Sequence, residues 1–255
     1  MKLKIMKHSK LKLALCIGAA ALLLGCKKAA VVSSGEIFKN AQDKYAALTS
    51  YSDEGETVAI VNGTTITTTF SIKLARPNLY RIAWEQSTGS KGVVWSAGDG
   101  DFMMLGDDAA QKEEDQETAL GSATGISGSA TATIPGTFFN MNWGNQLGGS
   151  VADEKQQPDD KVGDVDCYVF TSELKKGVTK TLWIGKQDFL IHQVRIVTSA
   201  EALKAVLAEA EKNHPEILAR LQQSGITGVT STETHTNIVV NPTLSAADFA
   251  PAGQL

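Results

Sequence analysis

The sequence predicts a mainly β domain of the α+β class: a curved antiparallel sheet with one apolar face and a few helices laid over it. Three observations predict this. Apolar and polar residues alternate with period two in segment after segment, turn signals separate those segments, and helical spacing appears in only two or three places. A one-sided sheet must have its apolar face covered, and those few helices are what the chain offers for it.

Ahead of that domain, Met1 to Lys12 carries five lysines and no acid, and Leu13 to Leu24 is an apolar run of 12 residues. A bilayer core takes roughly 20 apolar residues in helix, so a charged start and a short apolar run read as an export signal rather than a span. The run ends in Leu23-Leu24-Gly25-Cys26, which resembles the bacterial lipobox. That resemblance implies a diacylglyceryl group on the Cys26 thiol, cleavage before it, and acylation of the new amino terminus with palmitate or a similar chain. Each buried methylene contributes ~0.8 kcal/mol, and two or more chains anchor stably where one does not. Residues 1–25 are then a lipoprotein signal peptide, 26–34 a lipidated tether and 35–255 the folded domain. In sorted lipoproteins an aspartate after the cysteine retains the protein at the inner membrane, so Lys27 favours the outer one. The expected location is the bacterial cell envelope, anchored by lipid and facing the periplasm.

Composition narrows the function classes. Five of the 24 lysines and arginines lie in residues 1–25, leaving 19 against 28 acids, a net charge of −9 for the remainder. No basic footprint for nucleic acid is present, and tight electrostatic docking on anionic lipid heads is disfavoured. With Cys16 in the signal and Cys26 lipidated, Cys167 is left alone, so no internal disulfide forms. Its place in Cys167-Tyr168-Val169-Phe170 predicts a buried thiol.

From Gly35, the residues Ile37, Phe38, Ala41, Tyr45 and Leu48 recur at spacings of three and four, with Ser34 as the expected N-cap. Gly55 to Val61 reads as a strand closed by Asn62-Gly63, a strong hairpin signal. Thr64 to Ala75 returns with Ile66, Thr68, Phe70, Ile72 and Leu74 on one face and Thr65, Thr67, Thr69, Ser71 and Lys73 on the other. Pro77 interrupts, and Leu79 to Gln86 resumes with Tyr80, Ile82 and Trp84 on one side. Lys91 to Ser96 and, after Gly98-Asp99-Gly100-Asp101, Phe102 to Leu105 complete a meander. Gly106 to Ser129 opens acidic and ends in small residues, which predicts an exposed insertion, with room for a turn of helix. Ile134 to Trp143 is short and aromatic, a small helix or loop that either covers an apolar opening or plugs the core. A second β block follows at Val151–Gln157, Val165–Ser172, Val178–Ile184 and Phe189–Thr198. Next comes a helix over about 200–224, kinked at Pro215, and a last strand Thr234–Val240.

The stretch Ala75-Arg76-Pro77-Asn78-Leu79-Tyr80-Arg81-Ile82-Ala83-Trp84-Glu85, with the helix before it, the Val93 to Gly100 strand and turn, and the closing Asp248-Phe249-Ala250-Pro251, resembles the LolA-like family of lipoprotein-sorting proteins. The resemblance covers about residues 35–252. It implies an incomplete antiparallel β-barrel, a half-barrel with helices across its mouth and an apolar concave face that takes acyl chains. It also implies that Arg76 hydrogen-bonds the covering helices and holds them closed, a role to which a five-donor guanidinium is suited. A strand-end ion pair is the plainer role for the same side chain. Ile66, Phe70, Ile72, Leu74, Tyr80, Ile82 and Trp84 become candidates for the lipid-lining face; each taken singly reads equally as ordinary core.

Catalytic and metal motifs are missing. The sequence holds no Gly-x-Ser-x-Gly elbow, His-Glu-x-x-His helix, Walker loop or paired-cysteine spacing. His8 leaves with the signal, and His192, His214 and His235 have no ligand neighbour at a telling spacing. Asp99 and Asp101 read as a hairpin turn rather than a calcium site. The sequence therefore predicts a non-enzyme without cofactor or metal: a lipid-anchored envelope protein with an acyl chain or lipoprotein lipid as ligand. The alternative is an envelope interaction or sensor protein in which the barrel is filled and the acidic segment and long helix contact a protein partner.

Overall fold

The computed structural model describes residues 32–61, 63–211 and 227–250, without the side chains of 206–211. The signal, Cys26 and the Pro215 kink lie outside the described residues. Among those described, eleven strands form one antiparallel sheet: β1 (Ser50–Val61), β2 (Thr64–Ala75), β3 (Leu79–Gln86), β4 (Lys91–Ser96), β5 (Asp101–Leu105), β6 (Gln111–Glu113), β7 (Lys155–Val162), β8 (Val165–Lys175), β9 (Val178–Gly185), β10 (Ile191–Thr198) and β11 (Val229–Val240). Their order is β6-β5-β4-β3-β2-β1-β11-β10-β9-β8-β7. The two end strands are not paired with each other, so the sheet curls without closing, and the expected incomplete antiparallel barrel is what the chain forms.

Register follows the period-two pattern. Phe70, Ile72 and Leu74 of β2 face Gly55, Asp53 and Tyr51 of β1 on one side and Trp84, Ile82 and Tyr80 of β3 on the other, so all lie on one face. Two of the aromatics lean across onto glycines. A Cβ on Gly55 would stand 2.4 Å from the Phe70 ring, and one on Gly92 would stand 2.3 Å from the Trp84 indole. Between β1 and β11 the register slips at Ser52/Glu54. Asn237 takes up the extra length at φ 52°, a left-handed conformation that asparagine tolerates.

Helices α1 (Ser34–Ala47), α2 (Gln116–Ala123) and α3 (Thr133–Phe138) cover the concave face. The cap of α1 is Ser33, one residue before the expected Ser34: its Oγ accepts from the Glu36 amide at 3.3 Å. Ile37, Phe38, Ala41, Tyr45 and Leu48 are buried as their spacing predicts. A fourth helix, α4 (Ala200–Glu211), follows β10. No helix among the described residues is long and apolar enough to cross a membrane.

The reading of Gly106 to Ser129 as exposed is corrected. Asp107 and Asp108 are exposed, but Gln111–Glu113 adds a sixth strand, and α2 then buries Ala119, Leu120 and Ala123 completely. Asp115 caps this helix through the Thr118 amide at 2.8 Å. Small side chains let the segment lie close to the sheet, and its polar groups satisfy one another. Ser127 and Thr131, both fully buried, have hydroxyls 3.2 Å apart, and Thr131 donates to the Leu120 carbonyl at 2.9 Å. Low hydrophobicity here marks tight packing rather than solvation. The expected strand at Val151–Gln157 is instead a 3-10 turn over Val151–Asp153 followed by β7, a polar edge strand that carries Pro158 where its missing N–H does no harm.

Candidate functional site

The concave face is apolar at its centre and sealed in this structure. Ile72, Leu74, Tyr80 and Ile82 have no exposed surface, and Phe70 and Trp84 retain 5% and 4%. They share one cluster with Ile37, Phe38 and Tyr45 of α1, Leu120 of α2, Ile134 and Phe138 of α3, and Leu147 beyond it. Six of the seven candidate lining residues are thus brought together beneath the chain's own helices. Ile66, nearer the β1–β2 turn, is half-buried and outside that cluster.

Arg76 sits where β2 ends and reaches two of the three covering helices, α1 and α3. Its Nε donates to the Leu48 carbonyl at 2.9 Å, and its Nη2 donates to the carbonyls of Tyr45 at 3.2 Å and Phe138 at 2.6 Å. The guanidinium carbon stands 4.6 Å from the centre of the Phe138 ring. These acceptors lie at the C-terminal ends of α1 and α3, where carbonyls lack helical partners and a cation suits the dipole. A cleft of about 490 Å³ opens between the helices here, lined by Gln42, Tyr45, Arg76, Thr137, Phe138 and Leu147.

The α3 segment is tied at two further points. Thr133, in its first turn, donates to Glu233 Oε2 of β11 at 2.7 Å. Its carbonyl accepts from the Thr137 hydroxyl at 2.8 Å, which in turn receives the Gln146 amide at 3.1 Å. The Gln146 carbonyl is met by Lys180 Nζ of β9 at 3.3 Å, and Lys180 pairs with Glu154 at 2.8 Å, both side chains at least nine-tenths buried. A polar chain therefore crosses the concavity from β11 to β9 by way of α3. Gly136 makes the seating possible, because a Cβ there would stand 2.7 to 2.9 Å from the backbone of Trp143, Gly144 and Asn145.

Below Thr133 lies a buried ionic cluster. His235 Nδ1 is 2.7 Å from Asp53 Oδ2 and its Nε2 is 3.2 Å from Glu233 Oε1; His235 and Asp53 have fully buried side chains and that of Glu233 is 4% exposed. Tyr51 donates to Asp53 Oδ2 at 2.8 Å. Burial works against the imidazolium, but Asp53 and Glu233 outweigh it and push the His235 pKa from 6.5 to about 10. Burial raises the Asp53 carboxyl above its usual range, with His235 and Tyr51 pulling the other way. Another cavity, of about 600 Å³, has His235 among its lining residues, together with Val162, Val165, Leu190, Ile238 and Val240 and with the polar Lys44, Asp164, Asp188 and His192.

Sequence reasoning passed over this cluster. The signal that could have found it is Glu233-Thr234-His235 in a strand: period two puts two titratable residues on the face that Phe70 and Ile72 mark as inner. His192, also in a strand, meets Asp188 at 2.9 Å. Asp101 begins β5 and accepts from Tyr80 at 2.7 Å. Cys167 is buried with Val169 and Trp183, and burial pushes its thiol up to about 12. No group of three or more metal-ligating side chains is present among the described residues.

No family model and no curated protein matches the chain. Solved structures that it resembles include LprF from Mycobacterium bovis, 9% identical over 84% of this chain and 95% of that one with a TM-score of 0.45. A DUF1329 family protein from Desulfovibrio piger is 12% identical over 85% and 97%, with a TM-score of 0.33. A LolA superfamily protein from Nitrosomonas europaea is 10% identical over 86% and 98%, with a TM-score of 0.34. The likeness is one of remote outline; the open antiparallel half-barrel rests on this chain's own strand order, and members of the LolA superfamily are among the structures to which it is similar.

Proposed function

We propose that this chain is a lipid-anchored protein of the bacterial envelope that holds an acyl chain or the lipid of a lipoprotein, without covalent chemistry, in the concavity of its half-barrel. The carrying observation is the grip of Arg76 on three carbonyls of the two helices that close the apolar face. In this reading the cover is a set of removable parts, and the side chains beneath it, from Phe70 to Trp84, line the ligand once the cover moves.

Magnitudes support an exchange of cover for ligand. An acyl chain of roughly 16 methylenes gains about 13 kcal/mol on leaving water. Leu120, Ile134, Phe138 and Leu147 each lose about 1.5–3 kcal/mol on exposure, and each hydrogen bond to Arg76 contributes about 1.5–3 kcal/mol. The two sides are close, which suits loading and release.

Full burial of Ile72 and Leu74 favours a second reading, in which the barrel stays filled and the protein serves as an interaction or sensor module of the envelope. Native mass spectrometry of the chain, exported without its anchor and then extracted with organic solvent, separates the two. The proposal expects a stoichiometric acylated compound and faster uptake of a fluorescent acyl probe in Arg76→Ala. A bare mass and no uptake in either protein would establish the filled barrel.

A further inference from the structure

We infer that the Asp53–His235–Glu233 cluster is the head-group end of the concavity, and that it selects an acylated ligand whose head donates hydrogen bonds through neutral hydroxyls over one whose head is a carboxylate. This rests on the acyl-binding reading above and adds which acyl compound is preferred.

The first ground is an excess of acceptors. Two carboxylates flank one imidazole; Glu233 Oε1 faces His235 Nε2 at 3.2 Å as an ion pair, which leaves Asp53 Oδ1 buried with no hydrogen-bond partner among the described residues. Across the same face, Glu154 Oε2 is in the same condition, beside a Lys180 already engaged by Glu154 and the Gln146 carbonyl. Buried donors are left without a hydrogen bond as well, Trp84 Nε1 and Gln116 Nε2 among them, so the interior is not uniformly acidic, but its free buried oxygens all belong to carboxylates. A buried acceptor without a donor is costly, and a ligand that supplies the donor removes the cost.

The second ground is what stands on Glu233 now. The Thr133 hydroxyl donates to Oε2 at 2.7 Å, and Thr133 belongs to the helix that must leave for an acyl chain to enter. The protein's own hydroxyl thus occupies the position of the ligand's. The third ground is space: a cavity of about 600 Å³ has His235 among its lining residues together with valine, leucine and isoleucine, so room for an aliphatic stem adjoins the cluster. An anionic head would meet two carboxylates balanced by only one imidazolium in a poorly screened site, where the remaining like charge repels it.

The test is equilibrium binding of monolauroylglycerol and laurate at pH 8 to the full chain and to Thr133→Ala and Glu233→Gln, with far-UV circular dichroism to confirm folding. The inference expects at least about tenfold preference for the glycerol ester in the parent protein. It expects Thr133→Ala, which vacates Glu233, to raise affinity for the ester but not for laurate, and Glu233→Gln to shrink the preference. If Glu233→Gln does not fold, Thr133→Ala decides. Equal binding of both compounds, a preference for laurate, or an equal gain for both in Thr133→Ala would overturn head-group selection and leave acyl binding standing. Binding of neither compound would overturn both.

Discussion

His235 shows how a single residue links burial to stability. Its pKa is about 10 in the folded protein against an ordinary 6.5, a raised value. A group protonated more strongly in the folded state stabilises fully below the unfolded pKa, and the contribution drains away as pH rises through the folded one. Stability should therefore fall between pH 7 and pH 10. The raised Asp53 carboxyl acts in the same direction, its contribution being greatest at acid pH and lost as pH rises. Urea unfolding of the parent protein and His235→Gln at both pH values checks the sign: the variant should lose a few kcal/mol at pH 7 and show a shallower decline towards pH 10. A parent protein as stable at pH 10 as at pH 7 would mean that the imidazolium contributes nothing. Only part of this was legible in the sequence: period two puts Glu233 and His235 on one face of a strand, but nothing in it brings Asp53 beside them. Ionic pairing across strands depends on register, and register is fixed by turns and bulges far from the residue concerned. Arg76 differs in that the resemblance singled it out beforehand, and its guanidinium donates to the carbonyls of Leu48, Tyr45 and Phe138.

At the scale of the element, the covering segments depend on close approach more than on hydrophobicity. α3 has six residues and no side-chain cap, too little to stand as a helix alone, so its order comes from what it touches. Gly136 makes one of the closest of those contacts. Gly136→Ala should push back the 143–147 loop, release Leu147, and cost about 1–3 kcal/mol as an overpacked site. Its more telling effect should be faster hydrogen exchange in 133–147 while β2 and β3 remain protected. Uniform acceleration across the sheet would show that α3 is part of the core and not a detachable cover. Here sequence reading succeeded where period is strong and failed where residues are small. The bounds of β2, β3 and β4 follow from alternation and turns, and those of α1 from three-four spacing. The alanine, glycine and serine run of 119–130 carries no pattern that separates a solvated loop from a close-packed one. The difference lies in hydrogen bonds such as that of Thr131 to Leu120, which no local sequence rule announces.

At the scale of the whole molecule, charge and anchor act together. A portion with net charge −9 is repelled from anionic bilayers, so the proposed residence at a membrane relies on the lipid proposed for Cys26. Cys26→Ser should abolish incorporation of radiolabelled palmitate and move the protein from the membrane to the soluble fraction. A variant that stays on the membrane would point to another attachment.

The strand order has a temporal consequence. β1 lies beside β11, so Tyr51 faces Val240, and the two central strands are the first and the last to be made. The meander β1 to β6 and the β7 to β10 array each form from neighbours in sequence, but their union waits for a loop of most of the domain to close. Contacts so distant along the chain make folding slow and concentrate it in one late step. Until that step the emerging chain holds two half-sheets with bare edges and no finished concavity. A chain that lacks its final strand is therefore expected to hold no closed cover and no ligand, however well its two half-sheets form.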